Sequence, residues 1–247
     1  MGTTRRYTMA NFQPLHKNTH ANTKIKPISN VADLTEQHAL GVVVQEFALA
    51  GAHYPIAFVK EQDKETYFPV ALLGLESNKN LFVDSEGKWQ GMYMPARYTH
   101  KPLTVIPNKD DPNLYGIAIN IDADEVNEAE GEALFTEAGE ETEYLEKRKK
   151  ALMAYVENEH ITKSFLEMLA EMELLHQQNI NVRVREKEYN LNGLYLVDEK
   201  KLNELSDEDF VKLRQRGFLG PIYAHLGSMH KVTSLIQKQN DIAAAAE

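Results

Sequence analysis

Short apolar runs separated by polar turns occupy the N-terminal half of the chain and predict β-strands. The runs are rich in β-branched and aromatic residues, and the segments between them carry charged and turn-forming residues. The strand candidates are Tyr54–Lys60, Phe68–Leu75, Asn80–Val83, Leu103–Ile106 and Leu114–Ile121. Their close spacing predicts a meander that forms a mixed or antiparallel sheet.

Segments with a longer period in the C-terminal half predict helices that pack against this sheet. Between Thr142 and Gln177 apolar residues recur every three or four positions, which predicts two amphipathic helices, the second capped by Thr162. The fold class is therefore expected to be α+β. The other predicted elements are helices over Asp33–Ala50, residues 206–217 and Phe218–Lys238, and strands over Asn181–Arg185 and Leu191–Val197.

The chain is expected to form one domain between a polar arm and a short tail, because no repeat or long linker divides it. The predicted parts are an arm over residues 1–35, a single α+β domain over residues 36–238 and a frayed tail over residues 239–247. Phe12, Leu15 and Ile25 are the apolar residues of the arm that could anchor it. Residues 1–8 are expected to be an added or upstream segment, since Met9 resembles a second start.

Composition predicts an intracellular protein. The 247 residues contain no cysteine, which excludes disulfides, thiolate nucleophiles and cysteine-ligated metal sites. No run of about 18 apolar residues occurs, so we expect no transmembrane helix. The N-terminal sequence lacks the apolar stretch of a secretory signal, and the expected localisation is cytoplasmic.

Negative charge is concentrated in one part of the chain, here called the acidic segment (residues 110–146). The formal net charge is −10, and this segment contains thirteen carboxylates without a lysine or an arginine. Nucleic acid is not an expected partner, because phosphate binding needs clustered lysines and arginines. Such runs are most often solvated surface, so we expect the segment to be exposed and partly loop. A basic protein partner is the alternative.

Motifs for metal binding or catalysis are incomplete. Asp122, Asp124 and Asn127 resemble the start of a calcium loop, but its glycine and its closing glutamate are missing. The pair His16 and His20 lies in a loop-like sequence, where exposure to solvent is the simpler interpretation. The glycines form no phosphate-binding pattern. We therefore predict no metal and no cofactor.

The sequence between Tyr223 and His230 also lacks a catalytic pattern. Ser228 is not surrounded by the glycines of a nucleophile elbow. His225 is flanked by apolar residues, which favours a hydrogen-bonded structural histidine. No catalytic residue is predicted.

The segment Trp89–Lys101 has the most unusual composition, since it holds the only tryptophan, two tyrosines, two methionines, an arginine and a histidine. Core packing is one interpretation, and a recognition surface is the other, because these residue types are enriched at the centres of interfaces. The candidate binding residues are Trp89, Tyr93, Arg97, Tyr98, His100, Tyr223 and His225. We expect the Trp89 indole at the edge of the core with its N–H hydrogen-bonded.

Several motifs occur in an order that is similar to a known family. They are Tyr54–Phe58, Phe68–Leu75, Asn80–Asp84, Tyr93–Ala96, Gly193–Asp198 and Tyr223–Ser228. With these motifs the chain resembles the SapC family of bacterial proteins, over roughly residues 12–235. One departure is local. The segment Arg97–Leu103 has basic residues and a proline only near their positions in the family pattern, and it lacks the final aromatic residue of that pattern.

The resemblance implies a setting and no catalytic residue set. Relatives lie beside surface-layer genes, TonB-dependent receptors, flavin-dependent halogenases and cupin-like oxygenases. The first hypothesis is a non-enzymatic binding or accessory protein of a surface-layer or outer-membrane uptake system, with a protein partner and with homo-oligomerisation left open. The alternative is an enzyme, or an enzyme subunit, acting on a small molecule or peptide. The alternative requires Arg97, His100, Tyr223 and His225 to converge in one pocket.

Overall fold

The computed structural model describes residues 11–61, 64, 66–107 and 115–245. Residues 1–8 and the acidic residues Asp110 and Asp111 lie outside this range. The strands are β1 (Phe12–Pro14), β2 (Lys24–Ile25), β3 (Ala39–Gly41), β4 (Ile56–Lys60), β5 (Tyr67–Leu72), β6 (Leu103–Pro107), β7 (Tyr115–Asn120), β8 (Val126–Asn127), β9 (Glu132–Ala133), β10 (Leu175–Gln177), β11 (Ile180–Val184), β12 (Lys187–Leu191) and β13 (Leu194–Val197). The helices are α1 (Phe47–Gly51), α2 (Ala96–Thr99), α3 (Glu143–Glu171), α4 (Glu199–Asn203), α5 (Asp207–Gln215), α6 (Leu219–Ser228) and α7 (Val232–Ala245).

The described residues cluster into two units, of which the smaller contains residues 11–29 and 97–156. Its strands form two antiparallel sheets, in the orders β1-β7-β6 and β8-β2-β9. Ile119 and Leu134 on the strand side and Leu145 of α3 are fully buried in its core. Of the apolar residues in the predicted arm, Ile25 belongs to this core and Leu15 packs against it, whereas Phe12 is 45% exposed.

The larger unit contains residues 30–96 and 157–245. Its antiparallel sheet has the order β10-β13-β4-β5-β3, and β11 and β12 form a separate hairpin. The rings of Phe47, Phe58 and Phe165 lie within 6.4 Å of one another in its core, which also buries Leu213 and Ile222 from the helices. Antiparallel sheets combined with C-terminal helices confirm the α+β class. The domain boundaries stay a prediction.

Several predicted elements differ from the structure. The predicted helix over Asp33–Ala50 is wrong, because the segment contains β3 and short turns before α1. The strand predicted for Asn80–Val83 is also wrong. Asn80 donates through Nδ2 to the Leu34 carbonyl (3.0 Å) and accepts the Phe82 N–H (2.8 Å). Its side chain thus binds backbone groups locally, which favours a turn.

The two helices predicted between Thr142 and Gln177 are one continuous helix, α3. Thr162, predicted as a cap, lies inside it, where its hydroxyl donates to the Asn158 carbonyl (2.6 Å) and accepts the Val44 N–H (2.9 Å). A threonine that bonds the carbonyl four residues earlier is compatible with a helix interior.

The C-terminal helices agree better with prediction. Ser206 caps α5 by accepting the Asp209 N–H, and Gly217 ends the segment with a φ of +74°, as expected. The helix predicted for Phe218–Lys238 is divided into α6 and α7. Helix α7 continues to Ala245, through most of the predicted tail. None of the described helices is long and apolar enough to cross a membrane.

Candidate functional site

Residues 89–96, here called the aromatic loop, follow a tight turn in the larger unit. The Asp84 carboxylate accepts the N–H groups of Glu86 and Lys88, both at 2.9 Å, and Gly87 supplies the positive φ of +75°. The hydrogen bond from Lys88 lowers the pKa of Asp84 most, because it stabilises the charged form. This turn fixes where the aromatic loop begins.

The carbonyl of Tyr93 is the first anchor of the loop. It accepts the indole N–H of Trp89 (3.1 Å) and the hydroxyl of Tyr54. Burial of Tyr54 raises the pKa of its phenol to about 12, so the hydroxyl stays a donor. The close approach of the backbone requires glycine at position 91, because a Cβ there would collide with the Tyr54 hydroxyl and lie 2.6 Å from Trp89 Nε1.

The carboxylate of Glu46 is the second anchor, and this residue is only 6% exposed. Its Oε1 accepts the Tyr93 hydroxyl (2.6 Å) and the Ala96 N–H (2.7 Å), and its Oε2 accepts the Val43 N–H (2.9 Å). A buried carboxylate must be hydrogen-bonded to avoid a large desolvation cost. Glu46 therefore joins the aromatic loop to the start of α1.

Aromatic rings support the loop from within the larger unit. The Tyr54 and Phe82 rings meet edge to face at 4.9 Å, and Trp89 lies 5.9 Å from Phe82. Lys238 Nζ lies 4.7 Å from the centre of the Phe82 ring. Trp89 is half-buried against the core. The prediction of an indole at the core edge with a bonded N–H is confirmed.

Replacing Trp89 with alanine is expected to lower the free energy of unfolding by about 2–3 kcal/mol. The value lies below that for a fully buried tryptophan, because part of the ring remains in water. Urea titration measures the change. A loss below about 1 kcal/mol would contradict the supporting role of the ring.

Met92 lies at the exposed side of the aromatic loop. It is 89% exposed, the highest value among the large apolar residues that the structure describes as exposed. The loop sequence Trp-Gln-Gly-Met-Tyr-Met-Pro-Ala carries no charge. Met92 was not among the predicted binding residues, and neither were the anchors Glu46 and Tyr54.

The candidate residues Arg97, Tyr98 and His100 belong to the smaller unit. Arg97 is exposed, and Tyr98 is 6% exposed with Lys101 Nζ 4.2 Å from its ring centre. His100 is half-buried, with its ring 5.0 Å from that of Tyr155. Burial, and then the charge of Arg148, lower the pKa of His100.

The candidates Tyr223 and His225 lie on opposite sides of α6. Tyr223 is 50% exposed, whereas His225 is fully buried. His225 Nε2 accepts the Val197 N–H (3.1 Å), so its Nδ1 carries the proton and donates to the Ile56 carbonyl (2.8 Å). The ring therefore links the backbones of the paired strands β13 and β4. The prediction that His225 is a hydrogen-bonded structural histidine is confirmed.

Ser228 extends the same connection. Its hydroxyl accepts the Ile56 N–H (2.9 Å) and donates to the His225 carbonyl (2.6 Å). A Cβ on Gly51 would lie 3.1 Å from the Ser228 Cβ, so α1 packs tightly on α6 there. The side chains of His225 and Ser228 thus form hydrogen bonds to the backbone of the sheet.

The buried state of His225 predicts a pH dependence of stability. Burial lowers its pKa from about 6.5 to about 4. Between these values the unfolded chain takes up a proton that the native state does not bind. The free energy of unfolding should therefore fall by about 2 kcal/mol between pH 7 and pH 5. Urea titrations across this range measure it, and a flat profile would contradict a neutral buried ring.

The acidic segment is exposed as predicted. Ten of its eleven described carboxylates are exposed, and Glu125 is the buried one. Two of the ten form ion pairs with later lysines, Glu141 with Lys149 and Glu143 with Lys147. The interpretation of His16 and His20 as exposed to solvent is wrong for His20, which is buried and whose Nδ1 bonds the His16 backbone. His16 is exposed. Within the described residues no three metal-binding side chains cluster.

Comparison with known families adds one finding. The SapC family model matches residues 15–235. The chain belongs to the SapC family. No curated protein and no solved structure is significantly similar to it. The matched range of this SapC protein includes the aromatic loop and its anchors and the segment from His225 to Ser228.

Proposed function

We propose that this SapC protein is a non-enzymatic binding protein that docks on a protein partner through the aromatic loop. Met92 is the anchor that enters an apolar pocket of the partner. Following the resemblance, the partner belongs to a surface-layer or outer-membrane uptake system, and the accessory role is exercised in the cytoplasm.

The fixed conformation around an exposed methionine is the observation that supports this proposal. Four hydrogen bonds, from Tyr54, Trp89, Tyr93 and Ala96, end on the Tyr93 carbonyl and the Glu46 carboxylate. A loop that is already ordered loses little conformational entropy on binding. Methionine is favoured in interface centres, where its flexible side chain adapts to the partner.

The enzyme alternative depends on four residues acting together, and His225 is unsuited to that role. Both of its ring nitrogens bond the backbone inside the core, so neither is available as an acid or a base. Tyr223 lies on the opposite, exposed side of α6. We therefore favour the binding hypothesis.

The exposed carboxylates of the acidic segment suggest a second, electrostatic contact with a basic partner. Exposed charges are screened over about 8 Å at physiological ionic strength. If the segment contributes, raising the salt concentration should slow association. If the aromatic loop acts alone, the affinity should change little with salt.

Photo-crosslinking in the native host tests the docking proposal. A photoreactive amino acid replaces Met92, and the control carries it at Gln215, an exposed position of α5. We expect one discrete protein adduct that forms at position 92 and not at position 215. No adduct at position 92, or the same adducts at both positions, would overturn the proposal.

A further inference from the structure

A cavity of about 360 Å³ lies beside the core of the smaller unit. The large apolar residues of its lining are Leu15, Ile117 and Phe135. The Leu15 N–H bonds the Ile117 carbonyl (2.8 Å), which fixes the end of strand β1 at the cavity edge. Ile117 and Ile119 point to the same side of β7, so the apolar lining is continuous with the core that buries Ile119.

The polar groups of the cavity are mainly donors. Lys17 lines it, is exposed and has no ion-pair partner in the described part of the chain. His16 also lines it, and its Nδ1 accepts the Asn18 N–H (3.2 Å), which leaves the Nε2 N–H as a donor. Glu141 is the only carboxylate of the described lining, and Lys149 Nζ bonds both of its oxygens at 2.8 Å.

We propose that this cavity binds a small organic anion with an apolar body, of the arylalkyl carboxylate class. The apolar part packs on Leu15, Ile117 and Phe135. The carboxylate pairs with the Lys17 ammonium and accepts from His16. Because Lys149 bonds both oxygens of Glu141, this ion pair reduces the repulsion between Glu141 and the ligand. Pockets of this size with an apolar lining and a few convergent polar groups suit small ligands.

Amide NMR titration with phenylbutyrate tests the proposal, with phenylbutylamine as the charge-inverted probe and phenylbutanol as the neutral one. We expect phenylbutyrate to bind best and to shift the amide signals of Leu15, Ile117 and Phe135. Lys17→Gln should weaken its binding about tenfold, since one charge contact is lost. Lys150→Gln, an exposed lysine of α3 outside the lining, should leave it unchanged.

Glu141→Gln provides the complementary test. The substitution removes the charge that holds Lys149, so phenylbutyrate should bind several-fold more tightly. Equal binding of phenylbutylamine, shifts that lie elsewhere, no binding of phenylbutyrate, or an unchanged affinity in Lys17→Gln would each overturn the proposal. The amide spectrum of each variant confirms that it is folded.

Discussion

Replacing His225 with alanine is expected to lower the free energy of unfolding by about 4–5 kcal/mol, the largest effect predicted for this protein. The substitution leaves the Ile56 carbonyl and the Val197 N–H without their partner inside the core. It also opens a cavity beside Phe58, whose ring lies 4.8 Å from that of His225. Urea titration at pH 7 measures the change.

Two variants control for this result. Tyr223→Ala lies on the exposed side of the same helix and should cost about 0.5 kcal/mol or less. His225→Asn keeps a donor near the Nδ1 position, so its free energy of unfolding should lie between those of His225→Ala and the wild type. If His225→Ala were as mild as Tyr223→Ala, the histidine would not connect β4 and β13 as described.

The second large effect is expected for Glu46→Ala, at about 3–4 kcal/mol, because three buried or half-buried donors lose their acceptor. They are the Val43 N–H, the Tyr93 hydroxyl and the Ala96 N–H. Since Tyr93 holds the indole of Trp89, the fluorescence of this single tryptophan should also shift to the red in the native state.

Matched substitutions separate the anchor from its surroundings. Glu46→Gln retains a carbonyl oxygen for Tyr93 and Ala96 but cannot also accept from Val43, so about 1–2 kcal/mol should be lost. Gln45→Ala, at the exposed neighbouring position, should change neither stability nor fluorescence. Native emission that is unchanged in Glu46→Ala would show that the carboxylate does not hold the loop.

The sequence predicted elements with strong local signals. The runs around β4, β5, β6 and β7 and the capped helix α5 appear where expected. The prediction failed where groups that are distant in the chain determine the local structure. Asn80, the first residue of the run Asn80–Val83, bonds Leu34 and Phe82, and a turn forms there in place of the predicted strand. Threonine is a residue type that favours helix caps, but the hydroxyl of Thr162 accepts the N–H of Val44, which is 118 positions away in the chain.

The residue types of the candidate site could be predicted from the sequence, but their arrangement in space could not. Residue types drew attention to Trp89 and Tyr93, which the structure brings together. Glu46 carries no local sign of its role, because its partners Tyr93 and Ala96 are 47 and 50 positions away. In the sequence, Met92 is part of the Trp89–Lys101 segment, for which core packing and a recognition surface were both open. The structure places its side chain in water, 89% exposed.

The most direct test is the affinity of the partner captured at position 92 for purified wild-type and Met92→Ser proteins. We expect Met92→Ser to weaken binding at least tenfold, about 1.4 kcal/mol, through loss of the buried anchor. Its free energy of unfolding should equal that of the wild type, because Met92 is exposed in the unbound protein. Equal affinities for the two proteins would contradict the proposal that the aromatic loop is the docking site.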